Sequence, residues 1–126
     1  MKHEKVKKVL VVDDEVALLG PMRDFLERLG YFAACVSSGE EALEKYTSWR
    51  PDLVLMDRTM PGMDGISCTQ RIMDIDPNAR ILLISGYGEY GSEGIDERTK
   101  AYIKGYLSKP IELSELSTVL NELFGE

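Results

Sequence analysis

Short apolar segments alternate with amphipathic segments along this chain, and this alternation is the feature that most limits its possible folds. The apolar segments are KVLVV (8–12), YFAACV (31–36), LVLMD (53–57), RILLIS (80–85) and GYLS (105–108). Each has the length and aliphatic content of a β-strand, and its apolar residues are consecutive instead of alternating with polar ones. Such strands are covered on both faces, as in a parallel sheet between helices. The alternation therefore predicts an α/β fold of parallel strands and helices.

The segments between the strands place apolar residues at helical spacing. Gly30 marks the end of the first helix, and Pro21 predicts either a kink or a late helix start near residues 17–21, because proline removes a backbone hydrogen bond. Ser38 and Glu41 form the S-x-x-E pattern of a capping box at the second helix. The remaining helices are predicted at about 65–74, at about 93–103 and along a final stripe of Leu113, Leu116, Leu120 and Leu123.

Size and charge exclude several classes of function. The 126 residues fit one domain, predicted to span 1–126 with a core at about 7–124. A net charge of −7 argues against direct nucleic-acid binding. No apolar run suits membrane insertion or a signal peptide, and separated Cys35 and Cys68 are expected to stay reduced, which favours the cytoplasm. One basic cluster is interpreted as a solvated end: Lys2, Lys5, Lys7 and Lys8.

Polar and charged residues stand where the predicted strands end. Asp13 and Asp14 follow the first strand and Asp57 ends the third. Ser85 ends the fourth strand and Lys109 follows the fifth. Because right-handed crossovers bring the carboxyl ends of parallel strands to one edge of a sheet, ligands bind at that edge. The sequence therefore predicts that these five residues form one site.

A phosphoryl group suits this set of side chains. Neighbouring carboxylates repel one another, and Mg²⁺, which prefers oxygen ligands and retained waters, relieves that repulsion. Lys109 supplies a second positive charge and Ser85 a hydroxyl, which together match the needs of phosphoryl transfer. Asp57 is the predicted nucleophile and would become an aspartyl phosphate.

Four motifs make the chain resemble the receiver domain of two-component response regulators, the family of the bacterial chemotaxis regulator. They are VLVVDDE (9–15), PDLVLMDRTMPGMDG (51–65), LLISG (82–86) and GYLSKP (105–110). The resemblance extends from about Val9 to Phe124 and implies a flavodoxin-like, doubly wound sheet of five strands in the order 2-1-3-4-5, with five helices around it.

The resemblance also implies a metal site around the phosphoacceptor. Asp57 corresponds to the phosphorylated aspartate. Asp14 and Asp57 correspond to side-chain ligands of Mg²⁺, for which Mn²⁺ can substitute, while Asp13 would act mainly through a bound water. The backbone carbonyl of Thr59 corresponds to the third protein ligand.

Further positions correspond to the switch and to the lifetime of the phosphate. Ser85 matches the hydroxyl residue that contacts the phosphoryl group and Lys109 its ion-pair partner. Tyr106 matches the aromatic residue that turns inward when Ser85 moves. Thr59 and Tyr87 occupy positions that influence phosphate lifetime, and a bulky Tyr87 is expected to shield the acyl phosphate and slow its hydrolysis.

The implied function is signal relay. A histidine kinase or a histidine phosphotransfer protein would supply phosphohistidine, and the domain would catalyse only its own phosphorylation and dephosphorylation. The output face is expected at the fourth helix, fifth strand and fifth helix, but the downstream partner is not encoded in any motif. Because glycine is costly inside a helix, the Gly-rich segment 86–94 is expected to be mobile without phosphate.

Four alternatives stay open at the level of sequence. The domain could be part of a hybrid sensor kinase or another multidomain regulator, or a degenerate receiver that only binds partners. GYGEYG (86–91) fits a dinucleotide-binding G-x-G-x-x-G pattern, although it follows the fourth strand instead of the first. A phosphatase of the haloacid dehalogenase type would need an acid where Thr59 stands.

Overall fold

Five parallel strands form one sheet within residues 5–89 and 91–125, the part of the chain that the computed structural model describes. They are β1 (Lys8–Val12), β2 (Phe32–Val36), β3 (Leu53–Asp57), β4 (Ile81–Ser85) and β5 (Ile103–Ser108). The helices are α1 (Val16–Arg28), α2 (Gly39–Trp49), α3 (Gly65–Ile75), α4 (Glu97–Lys100) and α5 (Leu113–Phe124). The sheet order is β2-β1-β3-β4-β5, so the predicted flavodoxin-like α/β fold is confirmed. Lys2 of the basic cluster lies outside the described residues.

Apolar side chains cover both faces of the sheet. Leu10 contributes to a cluster that includes Tyr46 of α2 and Ile72 of α3. Its neighbour Val11 contributes to a second cluster, which includes Leu26 of α1 together with α5 residues. Because successive strand residues point to opposite faces, a strand buried on both sides must be apolar throughout. This explains the consecutive apolar runs.

The first helix continues through its proline. α1 begins at Val16 and contains Pro21, so the predicted late start is wrong. Pro21 cannot donate to the carbonyl of Ala17, but both residues are exposed, and water can satisfy that carbonyl. Gly30 follows the helix with φ +98°, a backbone conformation that glycine adopts without steric cost.

The fourth helix is much shorter than predicted. Helical structure was expected over 93–103, whereas α4 covers Glu97–Lys100 and β5 already begins at Ile103. Gly88, Gly91 and Gly94 all have positive φ, so the chain before α4 forms turns.

The capping box at α2 differs in one contact from the predicted form. The Ser38 side chain accepts a hydrogen bond from the backbone N–H of Glu41, as expected. The Glu41 carboxylate, however, accepts from the backbone N–H and hydroxyl of Ser37 instead of the backbone of Ser38. These hydrogen bonds lower the pKa of Glu41.

Candidate functional site

The carboxyl edge of the sheet brings together side chains from three strand ends. Nζ of Lys109 lies 3.2 Å from Oδ2 of Asp57 and 3.2 Å from Oδ2 of Asp13. It also lies 3.1 Å from Oε1 of Glu15. One ammonium group thus bridges carboxylates that follow β1 and end β3, as the parallel topology requires.

Asp13, Asp14 and Asp57 form a compact acidic cluster. One carboxylate oxygen from each lies within 4.8 Å of the others. Asp13 and Asp57 are buried, and Asp14 is half-buried. Lys109 is the ammonium in contact with the cluster, and it also neutralises Glu15, so negative charge is left in excess. An excess of carboxylate oxygen is the donor chemistry of a hard divalent cation.

The electrostatics of the cluster penalise ionised Asp57. Burial, and then the charge of Asp13, raise the pKa of Asp57 to about 7, against the opposing effect of Lys109. The pKa of Lys109 is raised: burial lowers it, but hydrogen bonds to Glu15 and Asp13 and the charge of Asp57 outweigh burial. Lys109 therefore stays charged, while any added cation would stabilise the ionised carboxylate of Asp57.

One backbone N–H contacts the Asp57 carboxylate, and one buried hydroxyl ends the neighbouring strand β4. The backbone N–H of Thr59 donates to Oδ1 of Asp57 over 3.3 Å, which helps to orient the carboxylate. Ser85 ends β4 and is buried, and its hydroxyl has no hydrogen-bond partner among residues 5–89 and 91–125. A buried, unpaired hydroxyl is costly, so this group is suited to meet a ligand.

The two predicted aromatic positions lie in different environments. Tyr106 on β5 is half-buried against the cluster that contains Leu10 and Ile72. Tyr87 is fully exposed. Shielding of a phosphoryl group by Tyr87 would therefore require its side chain to move.

Residue 65 must be glycine for the loop after β3 to close. A Cβ atom on Gly65 would lie 2.2 Å from the backbone oxygen of Asp57. The backbone N–H of Gly65 donates to the carbonyl of Arg58 over 2.9 Å. The turn of PGMDG thus packs against the residue that carries the central carboxylate, and Asp64 caps α3 by accepting from the N–H of Ser67.

Sequence reasoning missed three contact residues at this edge. Glu15 pairs with Lys109, a role that the third acid in the run VVDDE could have suggested. Arg58 donates to the carbonyl of Gly91 over 2.9 Å and to that of Glu93 over 2.6 Å. The third residue, Glu89, accepts from the backbone N–H of its loop neighbour over 2.6 Å. No sequence pattern identified Arg58 or Glu89.

The fold and the acidic edge define a receiver domain, and the comparisons agree. The chain belongs to the response regulator receiver domain family, whose model matches residues 9–121. It is 39% identical over 118 residues to the chemotaxis protein CheY of Thermotoga maritima, covering 93% of this chain and 97% of that protein.

Solved structures of receivers superimpose on nearly the whole chain. A receiver domain protein from Clostridium thermocellum matches with a TM-score of 0.84 and 28% identity, covering 95% of each chain. The response regulator TrrA from Thermotoga maritima, solved in complex with Mg²⁺ and BeF, matches with a TM-score of 0.82 and 31% identity. That match covers 94% of this chain and 99% of TrrA.

Family membership excludes two of the four alternatives left open by the sequence, the two that are not receivers. The chain is a receiver of two-component signal transduction, so the dinucleotide-binding and phosphatase interpretations are not retained. Gly86 and Gly88 follow β4, away from the first strand where a dinucleotide fingerprint belongs. None of the helices in the described part of the chain is long and apolar enough to span a membrane.

Proposed function

We propose that this domain accepts a phosphoryl group on Asp57 from the phosphohistidine of a histidine kinase or a histidine phosphotransfer protein. A carboxylate oxygen of Asp57 forms the new bond to phosphorus as the bond from phosphorus to the imidazole nitrogen breaks. The electron pair leaves with the imidazole. Later hydrolysis of the acyl phosphate resets the domain, which catalyses no other reaction.

The observation that carries this proposal is the position of Asp57 inside a charged cluster at the reactive edge. Asp57 is 3% exposed, and its Oδ2 accepts a hydrogen bond from Nζ of Lys109 over 3.2 Å. It also lies close to the carboxylates of Asp13 and Asp14. An aspartate used only as a turn or cap residue has no need of a half-buried ammonium and two further acids beside it.

The residues proposed to hold the cation are Asp14 and Asp57 directly, Asp13 through water, and Thr59 through its carbonyl. A bound Mg²⁺ would neutralise charge on the phosphoryl oxygens, and Mn²⁺ would substitute for it. Lys109 holds Oδ2 of Asp57 in place through its hydrogen bond and adds positive charge beside the entering phosphoryl group. The donor set fits this ion because it consists of carboxylate and carbonyl oxygens.

The switch is proposed to begin at Ser85. Its unpaired hydroxyl would move to the phosphoryl group, and the half-buried Tyr106 would turn inward into the space released. The expected output face is therefore α4, β5 and α5, where a downstream partner or an attached output domain would read the change. Thr59 and Tyr87 are proposed to set the lifetime of the phosphate. The proposed location is the cytoplasm.

Intact mass after incubation with acetyl phosphate and Mg²⁺ tests the assignment. The unmodified chain should gain one phosphoryl group, Asp57→Asn should gain none, and chelation of the metal should abolish labelling. Asp24→Asn removes the same charge from the exposed surface of α1 and should label normally. Equal labelling of Asp57→Asn would contradict the proposed phosphoacceptor.

A further inference from the structure

The carboxylate of Glu89 is bonded to groups that flank Asp57. One of its oxygens accepts from the backbone N–H of Gly86 over 2.6 Å, and the other accepts from the hydroxyl of Thr59. Glu89 is half-buried in the loop between β4 and α4. Glu89 therefore ties this loop, here called the 86–94 loop, to the loop that follows Asp57.

Both partners of Glu89 adjoin the proposed phosphoryl site. Gly86 follows Ser85, whose buried hydroxyl has no partner in the described part of the chain. Thr59 donates its own backbone N–H to Asp57 over 3.3 Å. Glu89 thus places an anion on hydrogen-bond donors beside the carboxylate that would carry the phosphoryl group.

The charge balance at this edge makes the position of Glu89 unusual. The site already holds three aspartates and Glu15, with Lys109 as the ammonium among them. A phosphoryl group on Asp57 would bring about two further negative charges next to Glu89. Anions at such short range repel one another strongly where water is partly excluded.

We propose that Glu89 is an intramolecular competitor of the phosphoryl group, a positioning residue that must leave Gly86 and Thr59 when Asp57 is phosphorylated. This inference rests on the proposed function of Asp57. In the unphosphorylated domain, Glu89 connects the 86–94 loop to the loop that follows Asp57. Its departure releases one end of that loop, so that Glu89 transmits the charge change at Asp57 toward α4.

Arg58 defines what remains after Glu89 leaves. Its guanidinium bonds to the carbonyls of Gly91 and Glu93, not to the carboxylate of Glu89. These bonds do not involve the donors beside Asp57. The 86–94 loop is therefore held by two sets of contacts. Those of Glu89 compete with the phosphoryl group, whereas those of Arg58 do not. Loss of the Glu89 contacts allows the loop to pivot about the Arg58 contacts.

Binding of beryllium fluoride, a phosphoryl analogue, tests the competition directly. Glu89→Gln keeps the shape and the accepting oxygen but removes the charge. Its affinity for beryllium fluoride in the presence of Mg²⁺, measured by isothermal titration, should rise by about three- to tenfold, the range for loss of one partly solvated charge contact. Initial rates of labelling by acetyl phosphate should rise in parallel.

Glu93→Gln is the matched control. Glu93 lies in the same loop with an exposed side chain, and its hydrogen bond to Arg58 uses only the backbone carbonyl. This variant has the same net charge as Glu89→Gln and should bind beryllium fluoride like the unmodified chain. The thermal midpoint of free Glu89→Gln should be unchanged or lower, because its hydrogen bonds to Gly86 and Thr59 are weaker.

A rise in affinity for beryllium fluoride without a gain in stability separates competition from a structural role. If Glu89 only supported the loop, Glu89→Gln would bind beryllium fluoride equally or more weakly, and the inference would be wrong. An equal rise in Glu93→Gln would also overturn it, since net charge alone would then be sufficient. Asp57→Asn should bind none. If Asp57→Asn does lose binding while Glu89→Gln binds like the unmodified chain, only this inference fails. Normal binding by Asp57→Asn would remove the proposed function and the inference together.

Discussion

Replacing Asp57 by asparagine should make the metal-free domain more stable at pH 8. Burial and the charge of Asp13 raise the pKa of Asp57 from its usual 3.8 to about 7. Each pKa unit corresponds to about 1.4 kcal/mol, so ionised Asp57 costs the fold up to about 4 kcal/mol. Asparagine loses the attraction of Lys109, which retains Asp13 and Glu15 as partners. We therefore expect a gain of about 2 kcal/mol, roughly half of that limit.

The direction of the pH dependence follows from the raised pKa. Between about pH 4 and 7 the unfolded chain has released the Asp57 proton while the folded chain still holds it. Stability contributed by the protonated carboxyl is therefore lost progressively as the pH rises through this window. The advantage of Asp57→Asn should be largest above pH 7 and should shrink toward pH 5.

Urea unfolding followed by Trp49 fluorescence measures these differences, since Trp49 packs against the buried cluster of Leu10 and Tyr46. In a chelator at pH 8, the midpoint of Asp57→Asn should lie higher by about 1 M. Mg²⁺ at a hundredfold excess over Kd should stabilise the unmodified chain by about 2 to 3 kcal/mol. The difference in stability between Asp57→Asn and the unmodified chain should then become smaller. Asp24→Asn is the control for net charge. The reasoning is refuted if the unmodified chain is at least as stable without metal at pH 8, or if the gap is the same at pH 5.

Three further substitutions test the loop after β3, the 86–94 loop and a hydrogen bond between α2 and the end of α3. Gly65→Ala should destabilise the fold by about 3 kcal/mol in urea unfolding, because its Cβ would meet the backbone of Asp57 at 2.2 Å; a neutral effect would mean that this turn can relax. Arg58→Ala should speed amide hydrogen exchange in residues 91–94, because it removes hydrogen bonds to two carbonyls there. Unchanged exchange would mean that these two hydrogen bonds do not hold the segment in place. Tyr46→Phe should lower the free energy of unfolding by about 1 kcal/mol, because it loses the 2.8 Å hydrogen bond to Asp76. An unaltered urea midpoint would show that this hydrogen bond contributes no net stability.

The sequence determined the strands, the class of fold and the residues at the strand ends. A strand covered on both faces needs consecutive apolar residues, so β1, β3 and β4 were identified from their apolar runs alone. Parallel topology then placed Asp13, Asp57 and Lys109 at one edge. The sheet order needed the family motifs, because periodicity does not say which strands are neighbours.

Only the tertiary structure decided how long α4 is and what surrounds Asp57. Three glycines with positive φ keep the chain before α4 out of a helix, and sequence periodicity does not report backbone angles. The contact of Glu15 with Lys109 joins residues 94 apart, and that of Glu89 with Thr59 joins residues 30 apart. Charged loop residues have no periodic pattern that ties them to a partner. Their roles exist only once the folded sheet brings its loops to the same edge.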